Sequence, residues 1–458
     1  MITGLQMNIK VSVIVPILNS IQYIEECIDS ILTQTLTEIE VLMVDAGSTD
    51  GTLERLYEYE KQDSRCRVIL SDMKSCGYQD NLGVKNARGK YVAFVESDDA
   101  IVPQMYEELY ALAEEYDLDF AKGDFDTFYF IENGERISER FRGVPSQYYN
   151  KVVDTSQNPE LLLYDMYLWK GIYKRDFLID KEIWQNTTRG AAFQDQGFLM
   201  QTISQAKRVM YVDKVYYQYR RDNAGSSVYN KNGYIYLKNE FLFIEKFLER
   251  KPELVQFWHY YYQRLFNMIQ TRDRIRIFSE VEWNEVEESL TEMVGIFKRG
   301  IDRGQITQEA FGEGRFYEIS MLCRDLELYL KNAAFKHNFQ VEHWDMQLDT
   351  CLGHKNIVIF GCSITNRRLF AILERNHIKI SAFCDNSQEK WGQLCCGVLV
   401  LSPKQAVLLE DAVFLIPKKY EKAMQEQLME LGVDKERIVA NNIGHDIAAA
   451  FVYHYKRK

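Results

Sequence analysis

No stretch of the 458 residues approaches the roughly 18 uninterrupted apolar residues that cross a bilayer. The start, Met1 to Lys10, lacks the basic region and apolar run of a secretory signal. Both absences predict a soluble, cytoplasmic protein. Positive charge is also short. Lys and Arg number 55 against 67 Asp and Glu, a net charge of −12, which argues against broad binding to nucleic acid backbones. The nine cysteines include no CxxC pair, although Cys395 and Cys396 are adjacent. That excludes the usual zinc spacing and a disulfide framework, and leaves reduced thiols as the plain expectation. Nothing repeats at a fixed period, and no segment is low in complexity.

What is present is globular. Hydrophobic residues make up 46%, enough to fill cores, and at about 150 residues per domain the length predicts two or three domains. Residues 10–124 alternate short apolar runs with amphipathic stretches, the pattern of a mostly parallel sheet flanked by helices. Strands are expected at 11–15, 39–44, 66–70, 90–95 and 119–122. Helices are expected after Asn19 or Ser20, at 82–87 and at 103–116, with a hairpin turn at 132–135. The first domain is expected to run over 1–230. From 231 to 352 long helical segments rich in Tyr, Phe, Glu and Arg predict a connector or small bundle. Strand and helix alternation resumes over 353–458 and predicts a smaller α/β domain.

The residue types with chemical meaning stand at strand ends. The run Lys90 to Asp99 is a β-branched and aromatic strand ending in Glu96-Ser97-Asp98-Asp99. Alternation along a strand projects Glu96 and Asp98 together at its C-terminal end, where open α/β sheets bind ligands. Clustered carboxylates repel, and a divalent cation held by oxygen ligands relieves that repulsion. A solvated acidic turn that begins the next helix is the plainer reading. Asp45 also ends a strand, ahead of Gly47, and could be an ordinary turn aspartate. Asp195 in Phe193-Gln194-Asp195-Gln196-Gly197-Phe198 could cap a helix. Because the first histidine is His259, a general base in the first domain is expected to be a carboxylate.

Three segments together resemble the GT-A fold of family 2 glycosyltransferases. They are Val11-Ser12-Val13-Ile14-Val15-Pro16-Ile17-Leu18-Asn19, Val44-Asp45-Ala46-Gly47-Ser48-Thr49-Asp50-Gly51-Thr52, and Glu96-Ser97-Asp98-Asp99. The likeness covers about residues 10 to 228. It implies an inverting transfer from a nucleotide-sugar donor, UDP-linked, to a glycan or lipid-linked saccharide acceptor. It assigns Mn²⁺ or Mg²⁺ to Asp98, the second acid of the family's DxD motif, with Glu96 on a ribose hydroxyl or a metal-bound water and Ser97 between them. Asp45 would accept from the uracil ring, Pro16 and Asn19 would shape the nucleotide pocket, and Asp195 would be the base. Trp169 falls on the acceptor-side strand, where it could stack on a sugar or sit in the core. Arg220 and the segment 225–227 match the part that closes over the diphosphate, where an Arg fork suits phosphate.

The sequence also departs from the family. Ala46, Asp80 and Gln194 stand where Asp, Arg and Glu are usual, and Glu96 stands where Asp is usual. A binding scaffold whose transferase site has decayed is therefore the alternative. In the last domain the strand and turn ending at Gly361, with Asp385 downstream, resemble a Rossmann-like nucleotide-binding half. The run after Gly361 lacks the later glycines that let a pyrophosphate approach the backbone, so a non-catalytic module is expected there. The basic end, residues 455–458, would be the point of any peripheral contact with an anionic membrane.

Overall fold

A computed structural model of the chain describes residues 8–130, 136–223, 233–279, 284–334, 353–375 and 378–441. The expected hairpin turn at 132–135, the segment 225–227 and the basic end at 455–458 lie outside the described residues. So does the extreme start at 1–7. The chain forms two compact units. The described parts of Met1–Phe128, Ser138–Ile269 and Trp283–Cys323 make the first, and those of Tyr129–Ile137, Gln270–Glu282 and Arg324–Lys458 make the second.

The first unit is built on a mixed sheet of ten strands. Strands β1 (Val11–Ile17), β2 (Ile39–Asp45), β3 (Cys66–Leu70) and β4 (Tyr91–Phe94) lie in the order β3-β2-β1-β4 and are parallel. Every residue of β1, β2 and β4 is buried, which is why these strands read as apolar runs, interrupted by Ser12 and Glu40, which hydrogen-bond to each other. Helices α1 (Ile24–Leu32), α2 (Thr52–Gln62) and α3 (Cys76–Asn86) connect them. Beyond β4 come β5 (Ala100–Ile101), α4 (Met105–Glu115), β6 (Phe120–Phe130), β7 (Arg136–Phe141) and β8 (Val152–Val153). Next are β9 (Gly171–Lys174), α5 (Arg175–Asp180), α6 (Gln194–Gln205) and β10 (Val209–Arg220). Strand β9 runs antiparallel between β4 and β6, so the sheet changes direction beside the acidic turn.

Two sequence expectations differ in extent. The helix expected at 82–87 begins six residues earlier, at Cys76, with Ser75 accepting from the backbone N–H of Tyr78 as its cap. Its Gly77 and Gly83 and its buried Gln79, Asp80 and Asn81 hide the helical period from a reading of apolar spacing. A Cβ on Gly83 would lie 2.4 Å from Ile14 Cγ2, so glycine is what lets α3 press onto β1. The strand expected at 119–122 extends to Phe130. Along it Lys122 and Asp124 are buried charges, and Lys122 pairs with Asp165 at 2.7 Å.

The described part of 231–352 is mostly helical, with short turns between the helices. It comprises α7 (Gly233–Glu249), α8 (Phe257–Ser279), α9 (Asn284–Asp302), α10 (Gln308–Phe311) and α11 (Glu313–Arg324). The second unit holds a six-stranded sheet. Strands β11 (Asn356–Phe360), β12 (Ala382–Cys384), β14 (Val398–Leu401), β15 (Ala412–Pro417) and β16 (Ile438–Asn441) are parallel, with β13 (Leu394–Cys395) antiparallel at one edge. Two apolar cores pack around it, one including Leu369 and Phe383, the other Phe414 and Leu428. No described helix is long and apolar enough to cross a membrane.

Candidate active site

The parallel strands deliver their C-terminal loops to one edge of the first sheet, and hydrogen bonds lace those loops together. After β1, Asn19 takes a left-handed backbone at φ 54°, tolerable for Asn, and its Oδ1 accepts from Thr49 N at 2.8 Å. Its own N–H donates to Ser48 Oγ at 2.8 Å, and Ser20 N donates to Thr52 Oγ1 at 2.9 Å. Ile21 N completes the seam on Asp50 Oδ2 at 3.1 Å. Pro16 sits where its missing N–H costs nothing, because β4 last pairs with β1 at Ile14 and Phe94. Beneath the loops, buried Gln79 donates to the carbonyls of Ile17 and Val44 at 2.9 and 2.6 Å. Asp45 is fully buried at the end of β2. Its Oδ1 accepts from Gly47 N and Ser48 N at 2.8 and 3.0 Å, and its Oδ2 accepts from the Ser48 hydroxyl. The aspartate thus caps its own turn.

The acidic turn after β4 is held from three sides. Ser97 Oγ and Ser20 Oγ are 2.6 Å apart, joining it to the β1 loop. Tyr217 of β10 donates its hydroxyl to Asp99 Oδ2 at 2.8 Å, and Arg220 N donates to Asp99 Oδ1 at 2.8 Å. Arg220 Nε donates to the Asp98 carbonyl at 2.9 Å, while its fork pairs with Glu26 and its plane lies over Tyr23 and Phe128. Arg220 is therefore buried and fixes the turn. Asp98 Oδ2 accepts from Asn223 at 2.7 Å. Burial, and then the charges of Asp80, Asp98 and Asp195, push Glu96 up to about 8. Asp80, on α3, has one oxygen on Gln185 at 2.6 Å and a second buried oxygen with no hydrogen bond, and burial pushes it up to about 7.

Asp195 lies in the first turn of α6, after Phe193, whose φ of 68° ends the preceding loop sharply. Burial raises its carboxyl above the ordinary range, against a hydrogen bond from Gln196 and the charge of Arg264. Gln194 sends its amide to Thr188 and the Gly190 carbonyl, stabilising that loop. The fold thus brings together Pro16, Asn19, Asp45, Glu96, Ser97, Asp98 and Asp195, with Asp195 close enough to bias Glu96. Trp169 is 4% exposed and stacks on Tyr217 and Tyr167 at ring separations of 4.1 and 4.7 Å. Of that cluster Tyr167 is the more exposed, and the charges of Arg221, Asp195 and Arg264 act on its hydroxyl. Sequence reasoning passed over Tyr167, Gln79, Gln196 and Arg264. For Arg264 a signal existed, a charge amid Tyr261, Tyr262 and Leu265.

Do these residues fit a divalent cation? Among the described residues no three His, Cys, Asp or Glu side chains are poised as a complete ligand set. Of the three acids at the turn, Asp99 is taken up by Tyr217 and Arg220, which leaves Glu96 and Asp98, close enough that the charge of Asp98 acts on Glu96. One or two carboxylates plus phosphate oxygens are the usual donor set for Mg²⁺, so these two residues fit an ion whose remaining ligands come from elsewhere than the chain.

Residues 12–180 match Glycosyl transferase family 2, and residues 353–439 match C2185-like, N-terminal. An uncharacterized glycosyltransferase of Bacillus subtilis, EpsJ, is 33% identical over 225 residues, 46% of this chain and 61% of its own length. The poly(ribitol-phosphate) beta-glucosyltransferase of Bacillus spizizenii is 30% identical over 48% of this chain and 34% of its own. YibD of Escherichia coli is 29% identical over 49% of this chain and 65% of its own. The chain thus spans less than two thirds of the length of EpsJ and YibD. A TarS fragment of S. aureus, solved with UDP-GlcNAc, shares the fold with a TM-score of 0.50 at 23% identity, over 74% of this chain and 92% of its own. The strand order, the laced loops and the acidic turn thus lie largely within a segment, 12–180, that matches Glycosyl transferase family 2.

Proposed function

We propose that the first unit is an inverting, metal-dependent glycosyltransferase. It moves a sugar from a UDP-linked donor to a glycan or lipid-linked saccharide in surface polysaccharide synthesis, on the cytoplasmic side. The observation that carries this reading is the convergence of Glu96 and Asp98, on the turn after β4, with Asp195 of α6, close enough for the charges of Asp98 and Asp195 to act on Glu96. The relative that acts on poly(ribitol-phosphate) supports a polymeric acceptor.

In this reading the Asp195 carboxylate takes the proton of the acceptor hydroxyl. The acceptor oxygen bonds to the anomeric carbon opposite the nucleotide, the bond from that carbon to the diphosphate breaks, and its electron pair leaves with UDP. One displacement inverts the centre. Asp98, helped by Glu96, would hold Mg²⁺ or Mn²⁺, which when bound supplies positive charge to the departing diphosphate. Asp45 keeps a lone pair for the uracil imide after serving its own turn, since a carboxylate offers about four acceptor sites. Asn19 and Pro16 wall the base, and Arg220 serves the donor by holding the acidic turn still. Tyr167, backed by Trp169, offers a face to the acceptor sugar.

A screen of nucleotide sugars with Mn²⁺, starting from UDP-GlcNAc, tests the reading. Asp98→Ala should lose turnover and metal dependence together, and an unaffected variant would end the metal assignment. Titration calorimetry with UDP and Mn²⁺ separates an enzyme from a decayed scaffold, which should take up neither.

A further inference from the structure

The helices that follow the sheet do more than extend the first unit. Arg264 on α8 is 2% exposed and reaches the first turn of α6. Its Nε donates to Gln196 Oε1 at 2.6 Å, and its Nη1 donates to the Leu162 carbonyl. Gln196 Nε2 in turn donates to Asp195 Oδ1 at 3.0 Å. The direction of this chain is fixed by chemistry. A guanidinium has donors and no acceptor, so the amide must turn its oxygen to Arg264, which leaves its N–H for the carboxylate. A second helix grips the same turn: Glu240 Oε1 on α7 accepts from Gly197 N at 2.8 Å, and its Oε2 accepts from Asn186 at 3.0 Å. A Cβ on Gly197 would come within 2.3 Å of that Glu240 oxygen, so the contact needs glycine.

We infer that Arg264, acting through Gln196, is a positioning residue for the catalytic carboxylate, and that α7 and α8 are part of the transfer machinery. This rests on the reading of Asp195 as the base. A buried cation oriented through one polarised amide fixes one carboxylate oxygen and favours its charged form, leaving the other for the acceptor proton. The groups that act on Asp195 are few. Arg264 and Gln196 favour its charge, whereas Glu96 on the acidic turn and Glu240 on α7 oppose it; Cys76 on α3, Tyr167 and Tyr173 on β9 lie within its field.

The test uses the full chain and follows UDP release from the nucleotide sugar that the wild type turns over fastest. Gln196→Glu keeps an acceptor for Arg264 and loses the donor to Asp195, with almost no change in shape. It should lower kcat by roughly tenfold to a hundredfold, the scale of a small misplacement of a reacting group. The donor KM, UDP affinity and melting temperature should stay as in the wild type. Arg264→Lys, should it fold, should lower kcat in the same sense, because one ammonium cannot reproduce the fork. Wild-type kcat in Gln196→Glu beside an inactive Asp195→Asn would overturn the inference and leave the base assignment standing. A loss of kcat matched by loss of UDP affinity or of melting temperature would reduce Gln196 to a structural role and overturn it too. A fully active Asp195→Asn would remove both.

Discussion

Two sheets in this chain carry carboxylates at their strand ends or on the helices beside them, and the acids are not all treated alike. In the second unit Asp385 follows β12 and is satisfied on every side. Cys362 N donates to it at 2.9 Å, Ser387 N at 2.9 Å and Lys390 Nζ at 3.0 Å. Despite partial burial, those bonds and the Lys390 charge hold it below the ordinary carboxylate range. In the first unit Glu96, Asp80 and Asp195 are all raised, chiefly by burial. Similar architecture thus yields one acid that braces a loop and several whose cost is left for a ligand or a proton to relieve. Perturbed acids gathered in one place are a better pointer to chemistry than the fold that carries them.

The sharpest way to break this contrast is to neutralise one acid in each sheet and measure turnover. Asp195→Asn should lower kcat by about a thousandfold, within the range of a lost general base, while UDP binding persists. Asp385→Asn should leave turnover unchanged, and equal losses in the two variants would erase the distinction. The same base should give kcat an acid limb above the ordinary aspartate range, since Asp195 must shed its proton to act and its affinity for that proton is raised. A pH profile whose acid limb falls near 4 would contradict this. The next effect is on stability. Asp385→Ala leaves two backbone N–H groups and an ammonium without their acceptor, and should destabilise the second unit by about 2 kcal/mol in denaturant melts. A last effect, seen only as a pH dependence, concerns Glu240, which burial pushes up to about 8 from an ordinary 4.5. Between those values the folded chain keeps a proton that the unfolded chain has released, so stability drains as pH rises through that window. Glu240→Gln has no proton to lose. Its melting temperature relative to the wild type should therefore climb from pH 5 to pH 8.

Much of the first sheet was legible because its strands are buried on both faces and so stand out as apolar runs between turn residues. The acidic turn and Asp45 were legible for a related reason: a charged residue at the end of such a run has few structural excuses. Helix α3 was less legible. Its inward face is polar because Gln79 meets the carbonyls of Ile17 and Val44 at strand ends, while Asp80 and Asn81 meet Gln185 in the loop after α5, rather than an apolar core. Arg220 shows the limit of reading residue type alone. A guanidinium suited to phosphate is equally suited to a carbonyl, a glutamate and two rings, and the fold places it among those. The link from Arg264 to Gln196 spans 68 positions and joins a helix read as a connector to the turn that bears Asp195. No local pattern could announce it.

The seam between the β1 and β2 loops has a consequence for anyone who would change what this rim holds. Asn19, Ser20 and Ile21 each lean on a side chain from 48–52, and Thr49 leans back. Substitutions across that seam share partners, so their effects should not add, and a graft of one loop from a relative should fail where the matched pair succeeds. Specificity at this edge is inherited in pairs.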